Sequence, residues 1–284
     1  MANRRVALVG CGMVGMSYAY ALLNSDLCNE LILIDINEEK ALGEAMDLNH
    51  GLCFSSSHMK IRAGSFEDCQ YADLVVITAS AGSRKPGQTR LDLLQKNVGV
   101  FKSFISKIVA SGFNGIFLVA SNPVDVMTRL TYELSGFPAN RVIGSGTTLD
   151  TARLRYLIGD YFQADPHSVH GYVIGEHGDS EFVPFSQLNL STKNVEEFFS
   201  DERFKDEYKR EDIEQIIEKV KTSGAEVIKL KGATYYGIGM SLVRITKAIF
   251  GDENSVITVS SRLNGEYGMR DVYLGLPAYI NRNG

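Results

Sequence analysis

The sequence predicts an α/β protein: a Rossmann-type, doubly wound parallel sheet followed by an α+β domain. Three observations carry this expectation. Five short apolar runs recur in the first half, at Val6–Val9, Leu31–Ile34, Leu74–Ile77, Ile116–Val119 and Val142–Ile143. Amphipathic stretches separate them, among them Met13–Asn24, Glu38–Asn49 and Leu91–Ser111. A glycine-rich turn joins the first run to the first stretch. Runs of Val, Ile and Leu without polar alternation suit parallel strands buried on both faces. Strands separated by helices imply βαβ units.

Beyond residue 145 the alternation loosens. Thr147–Tyr161 reads as a helix, Ser168–Ile174 as a strand and Phe198–Lys221 as a charged, solvated helical region. Thr234–Ile249 has the pattern of a helix with one buried face. Ser255–Ser261 and Val272–Ile280 read as antiparallel strands around the Asn264-Gly265 turn. A boundary near Gly144 divides the chain into two domains, 1–144 and 145–284.

Composition narrows the class. The 284 residues are 44% hydrophobic and 22% charged, an ordinary globular balance. With 29 basic against 34 acidic residues, the net charge of -5 gives no excess to neutralise phosphates, so nucleic acid is not the expected partner. No apolar run reaches the ~18 residues of a membrane span. The start, MANRRVALVG, lacks a signal-peptide core. Cys11, Cys28, Cys53 and Cys69 show no CxxC spacing. A cytoplasmic protein with neither disulfide nor metal site is expected.

The turn is Val6-Ala-Leu-Val-Gly10-Cys-Gly12-Met-Val-Gly15, a GxGxxG between strand and helix. Gly10 permits the tight turn, Gly12 the approach of a pyrophosphate, and Gly15 close packing of the helix on the sheet. The helix start offers free N–H groups to the anion. Alone this motif specifies little. Asp35, however, ends the second apolar run twenty residues after Gly15. An acid there accepts hydrogen bonds from ribose hydroxyls and repels a 2′-phosphate, which favours NAD over NADP.

Five further motifs occur in order: Lys85-Pro-Gly-Gln-Thr-Arg90, Asn122-Pro-Val-Asp125, Asp150-Thr-Ala-Arg153, Gly175-Glu-His177-Gly-Asp179 and Lys231-Gly-Ala-Thr234-Tyr-Tyr-Gly237. His177 is the natural proton donor, because histidine alone titrates near neutrality unperturbed. With the glycine turn, these motifs resemble the L-lactate/L-malate dehydrogenase family, from Val6 to Gly284. The resemblance implies reduction of a small 2-keto acid, with a hydride from NADH to carbon and a proton from His177 to oxygen. It makes Asp150 the acid that orients His177, a residue whose type also suits a helix cap. Arg153 grips the substrate carboxylate through a bidentate fork, and Arg90 polarises the carbonyl from a closing loop. Asn122 positions nicotinamide and substrate.

Family markers divide over the substrate. Arg84, six before Arg90, is of malate type and would pair with a second carboxylate. GEHGD, Gly146-Thr-Thr-Leu-Asp150 and Lys231-Gly-Ala-Thr234 are of lactate type, and Thr234 narrows the pocket around a methyl group. Pyruvate/L-lactate is the expected pair, oxaloacetate/L-malate the alternative, and NAD binding without turnover the third reading. Arg155 and His170 match a pair that binds fructose 1,6-bisphosphate across a subunit interface in bacterial members, and a homotetramer is implied. Family members usually continue past Ile280-Asn-Arg-Asn-Gly284 into a strand and a C-terminal helix, so that helix is expected to be missing.

Overall fold

The computed structural model describes residues 4–82 and 90–284, except for the side chains of Arg90 and Leu91. Strands β1 (Arg5–Val9), β2 (Glu30–Ile34), β3 (Lys60–Ala63), β4 (Leu74–Ile77), β5 (Ile116–Val119) and β6 (Val142–Gly144) run parallel, in the order β3-β2-β1-β4-β5-β6. Helices α1 (Met13–Leu23), α2 (Glu38–Gly51), α3 (Arg90–Ala110) and α4 (Val124–Ser135) form the crossovers. The five apolar runs become β1, β2, β4, β5 and β6. Strand β3 was not expected: Lys60-Ile-Arg-Ala63 lies at the sheet edge, where only Ile61 is fully buried, so it carries no continuous apolar run.

Alternate residues of each strand enter opposite cores, as a pleated sheet covered on both faces requires. Val6, Leu8, Leu31, Leu33, Leu74 and Val76 face α1 and α2. Ala7, Val9, Ile32, Ile34, Val75 and Ile77 join Phe101, Phe104 and Ile105 of α3 on the other side. Local chemistry starts and stops the helices. Asn37 caps α2, its side chain accepting from the Lys40 N–H at 3.0 Å, with Glu38 and Glu39 in the first turn facing the positive end of the helix. Gly136, at φ +68°, ends α4.

After Gly144 the chain both builds a unit of its own and returns to the first sheet. Helix α5 (Thr148–Tyr161) leads to a small antiparallel sheet of β7 (Val169–His170), β8 (Asn189–Leu190) and β9 (Lys193–Asn194). Helices α6 (Val195–Ser200) and α7 (Arg210–Lys231) follow, and α7 packs on α5 around Leu154, Ile158, Ile213 and Val220. Helix α8 (Tyr236–Gly251) then crosses α1. Its Gly239 lies so close to Ser17 that a Cβ would come within 3.0 Å of that backbone, and Tyr18 Oη meets Thr246 Oγ1 at 3.0 Å in the interior. Strands β10 (Ser255–Asn264) and β11 (Arg270–Ile280) form an antiparallel hairpin, and β10 pairs with β6 through Ser260 and Gly144. Among the described residues the sheet thus has eight strands.

Two local expectations need correction. The Ser168–Ile174 strand is only Val169–His170, because the segment then bends to bridge Ile174 to Phe182. The charged region Phe198–Lys221 is two helices separated by residues 201–209, and the second runs ten residues further, to Lys231. Apolar residues spaced along α7, including Ile213 and Val220, bury one face against α5. Charge dominated the reading because the other face is solvated.

Candidate active site

The glycine turn leaves β1 at its carboxyl end, the usual ligand edge of an open α/β sheet. Gly10 has φ +103°, and a Cβ there would lie 2.5 Å from the Ala79 nitrogen. A Cβ on Gly15 would lie 2.1 Å from the Gly10 carbonyl oxygen, so only glycine lets α1 sit this close to the turn. Gly12, by contrast, faces open space and precedes α1 without any side-chain cap, leaving the first-turn N–H groups for an anion. Asp35 closes the cradle: its carboxylate accepts from the Cys11 N–H at 2.7 Å and the Asn37 N–H at 3.0 Å. Its remaining lone pairs suit the paired hydroxyls of a ribose. Cradle and acid together fit NAD.

The loop carrying His177 is pinned at its neck. Ile174 and Phe182 exchange two backbone hydrogen bonds of 2.9 Å, and Gly175 does the same with Gly275 of β11. Thr147 Oγ1 donates to the Val173 carbonyl at 2.6 Å, tying the loop to the start of α5. At its tip His177 Nδ1 lies 2.6 Å from Asp150 Oδ2. Asp150 is 1% exposed. It is the third residue of α5 and not its cap, a place taken by Thr147, so its carboxylate is free to reach sideways. The other oxygen, Oδ1, accepts from Arg153 Nη1 at 2.8 Å, one turn along the helix.

These charges set one another. Burial disfavours the His177 imidazolium, but the hydrogen bond and charge of Asp150 prevail and raise its pKa above the ordinary histidine value. Burial also opposes ionisation of Asp150, yet His177 and Arg153 hold its pKa below the ordinary aspartate value. With Nδ1 engaged, Nε2 is the ring atom left for a ligand.

A cavity of about 320 Å³ opens beside this pair, and Asn122, Asp150, Arg153, His177 and Thr234 all line it. Asn122, joined to Pro123 by a cis peptide bond, stands between β5 and α4 and accepts from Asn97 Nδ2 through its carbonyl at 2.8 Å. Arg153 lies over Gly224 of α7, where a Cβ would be 3.5 Å from Nη2. Val14 and Ile238 join the wall from α1 and α8, so the cavity borders the cradle side of the fold. Arg84 and the side chain of Arg90 lie outside the described residues. Arg155 and His170 stand apart from the cavity: Arg155 donates through Nε to the Gly171 carbonyl at 3.3 Å and lies over the Tyr172 ring, and His170 is exposed on β7.

Two buried acids carry no role in the sequence reading, although Asp125 ends the Asn122-Pro-Val-Asp125 motif. Asp125 accepts from the backbone N–H of His177 through Oδ2 at 3.1 Å and from Ser260 Oγ through Oδ1, linking α4, the His177 loop and β10. Burial pushes its pKa up despite these donors. Glu181 is 3% exposed, and its Oε2 lies 3.8 Å from His177 Nδ1. Nothing in the sequence separates it from the acids around it. Only the return of the loop on itself places it beneath the imidazole.

A Rossmann cradle that fits NAD, joined to an imidazole–carboxylate pair and a cavity-facing arginine, defines a nicotinamide-dependent dehydrogenase. Comparison with known proteins gives the family. Residues 4–144 match the lactate/malate dehydrogenase NAD-binding domain, and residues 147–284 match the lactate/malate dehydrogenase α/β C-terminal domain. The chain belongs to the lactate/malate dehydrogenase family. It is 53% identical over 280 residues to an L-lactate dehydrogenase 2 of Bacillus cereus, covering 99% of this chain and 88% of that one. An L-lactate dehydrogenase of Geobacillus sp. strain WCH70 is also 53% identical, with 99% and 86% covered. Among solved structures, a lactate dehydrogenase from a Medee basin deep-sea metagenome library superposes with a TM-score of 0.96 at 52% identity, covering 100% of this chain and 90% of that one. The ligand-bound form of the minor L-lactate dehydrogenase of Enterococcus mundtii gives 0.96 at 47% identity, covering 100% and 89%. Its ligand-free form gives 0.90 at 45% identity, covering 100% and 88%.

Proposed function

We propose that this chain catalyses the reversible NADH-dependent reduction of pyruvate to L-lactate. The observation that carries the reading is the chain of contacts Arg153–Asp150–His177 on one wall of the cavity, 2.8 and 2.6 Å long, in a protein whose relatives are L-lactate dehydrogenases. Bound NADH supplies a hydride to the carbonyl carbon. Everything else falls to the chain. Arg153 pairs with the substrate carboxylate and fixes its orientation. His177, protonated and steadied by Asp150, donates from Nε2 to the carbonyl oxygen as negative charge develops there. Asp150 then stabilises the ring by fixing its tautomer. Asn122 and Thr234 bound the space around the nicotinamide and the substrate methyl group. Arg90 would close over the carbonyl.

Oxaloacetate is disfavoured, since the relatives are lactate enzymes and Thr234, which by the family resemblance narrows the pocket around a methyl group, lines the cavity. Arg84, the malate-type residue, is compatible with pyruvate if its guanidinium points away from the site, because burying it unpaired would cost several kcal/mol. NADH oxidation followed with pyruvate and with oxaloacetate tests this reading. At least tenfold preference for pyruvate in kcat/KM is expected. Tenfold preference for oxaloacetate overturns it, and NADH binding without turnover of either supports the third reading.

We also propose a homotetramer activated by fructose 1,6-bisphosphate through Arg155 and His170, since Arg155 donates to the carbonyl of Gly171, the residue that follows His170. Among the described residues no helix is long and apolar enough to cross a membrane.

A further inference from the structure

We propose that Glu181 is a positioning residue for the proton on His177: a second, buried carboxylate at the cavity wall that works through the imidazole. The inference deepens the dehydrogenase reading and rests on it. Its basis is geometric. Ligand atoms of Asp150, His177 and Glu181 all lie within 4.8 Å of one another, yet Asp150 takes the short contact to Nδ1 and Glu181 stands off at 3.8 Å. The loop holds it there, because Oε2 also accepts from the Gly178 N–H at 3.4 Å, and the Ile174–Phe182 bridge closes directly behind it. Its side chain is as buried as that of Asp150.

A buried acid that only filled space would be unusual, because an unpaired carboxylate is costly away from water. Two such carboxylates around one imidazole do not both ionise freely. Burial and the like charge of Asp150 push Glu181 up to about 7. Below that pH its carboxyl proton is shared with Asp150. As pH rises through that value Glu181 ionises, beside an imidazole whose pKa Asp150 already raises. The new negative charge then holds the proton on the ring, so the two groups titrate as a pair.

The other charges around His177 make this effect specific. Arg153 of α5 opposes the imidazolium but is neutralised by Asp150. Asp125 of α4 is spent on the His177 backbone N–H and on Ser260. Glu176 on the same loop accepts from Ser180 Oγ, and Lys221 of α7, on the cavity wall, is paired with Glu218. Among the described residues, Glu181 is therefore a group beside the ring whose charge changes near neutrality.

The test is Glu181→Gln, which keeps the shape and an acceptor for Gly178 while removing the charge. In the wild type, kcat/KM for pyruvate falls on the alkaline side as His177 deprotonates, and kcat/KM for L-lactate falls on the acid side as it protonates. Removing the anion lowers the pKa of His177. Both limbs are expected to move to the acid side by about one unit, together. A second measurement reads the same proton without turnover: binding of oxamate, a non-reducible pyruvate analogue, to the enzyme–NADH complex, whose alkaline midpoint moves by the same amount. Unmoved limbs and midpoint in an active Glu181→Gln enzyme overturn the inference, and so does a uniform loss of rate with an unshifted profile. Wild-type enzyme that reduces neither keto acid would instead overturn the dehydrogenase reading itself.

Discussion

His177→Ala is expected to lower kcat for pyruvate reduction by about 10²–10⁴-fold, the usual contribution of a positioned general acid. The ring stands at the tip of a loop pinned by β11 and α5, and the loop backbone does not depend on the imidazole, so the variant should fold. Its NADH dissociation constant should stay within about threefold of the wild type, because the cradle is built from Gly10, Gly12, Gly15 and Asp35 on the first sheet. The ratio of the two effects is the informative quantity. Steady-state kinetics together with fluorescence titration of NADH provides it. Loss of kcat below tenfold would remove His177 from the chemistry.

Asp150→Asn should cost kcat/KM by a comparable factor, about 10²–10⁴, for a different reason. An amide offers one acceptor oxygen where two cationic partners now find two, so either His177 or Arg153 meets an N–H instead. The sign of the pH effect follows from the same contacts. Asp150 raises the pKa of His177, so its loss lets the ring deprotonate at lower pH, and pyruvate reduction declines earlier on the alkaline side. Glu181 is affected in the opposite sense: without the like charge of Asp150 it ionises more easily and partly compensates. The double variant Asp150→Asn with Glu181→Gln should therefore show a more acidic limb than Asp150→Asn alone. Activity of Asp150→Asn within threefold of the wild type contradicts the assignment.

Much of this was legible in the sequence because the decisive features are local. A parallel strand buried on both faces must be an apolar run, which is why β1, β2, β4 and β5 stand out and edge strand β3 does not. The GxGxxG turn and Asp35 belong to one βαβ unit, so their spacing announces their meeting. Asp150 and Arg153 are a helical turn apart and necessarily share a face. What stayed hidden depends on return contacts between distant segments. The hairpin β10–β11 was readable as a hairpin, but not as an extension of the first sheet through Ser260 and Gly144. Ser168–Ile174 reads as one strand because Val169, Tyr172, Val173 and Ile174 are β-formers, but only Val169–His170 joins a ladder, while Val173 and Ile174 bond to Thr147, Thr151 and Phe182. Glu181 and Asp125 look like ordinary acids until the fold removes them from water.

A crystal structure of the complex with NADH and oxamate tests the central claim most directly, which is that His177 and Arg153 hold a keto acid between them opposite the nicotinamide. The account predicts the oxamate amide carbonyl oxygen within hydrogen-bond distance of His177 Nε2, about 2.6–3.2 Å, with its carboxylate on the Arg153 guanidinium and the dinucleotide over Gly12. Oxamate seated away from His177, with that ring nitrogen facing solvent or protein alone, would contradict it.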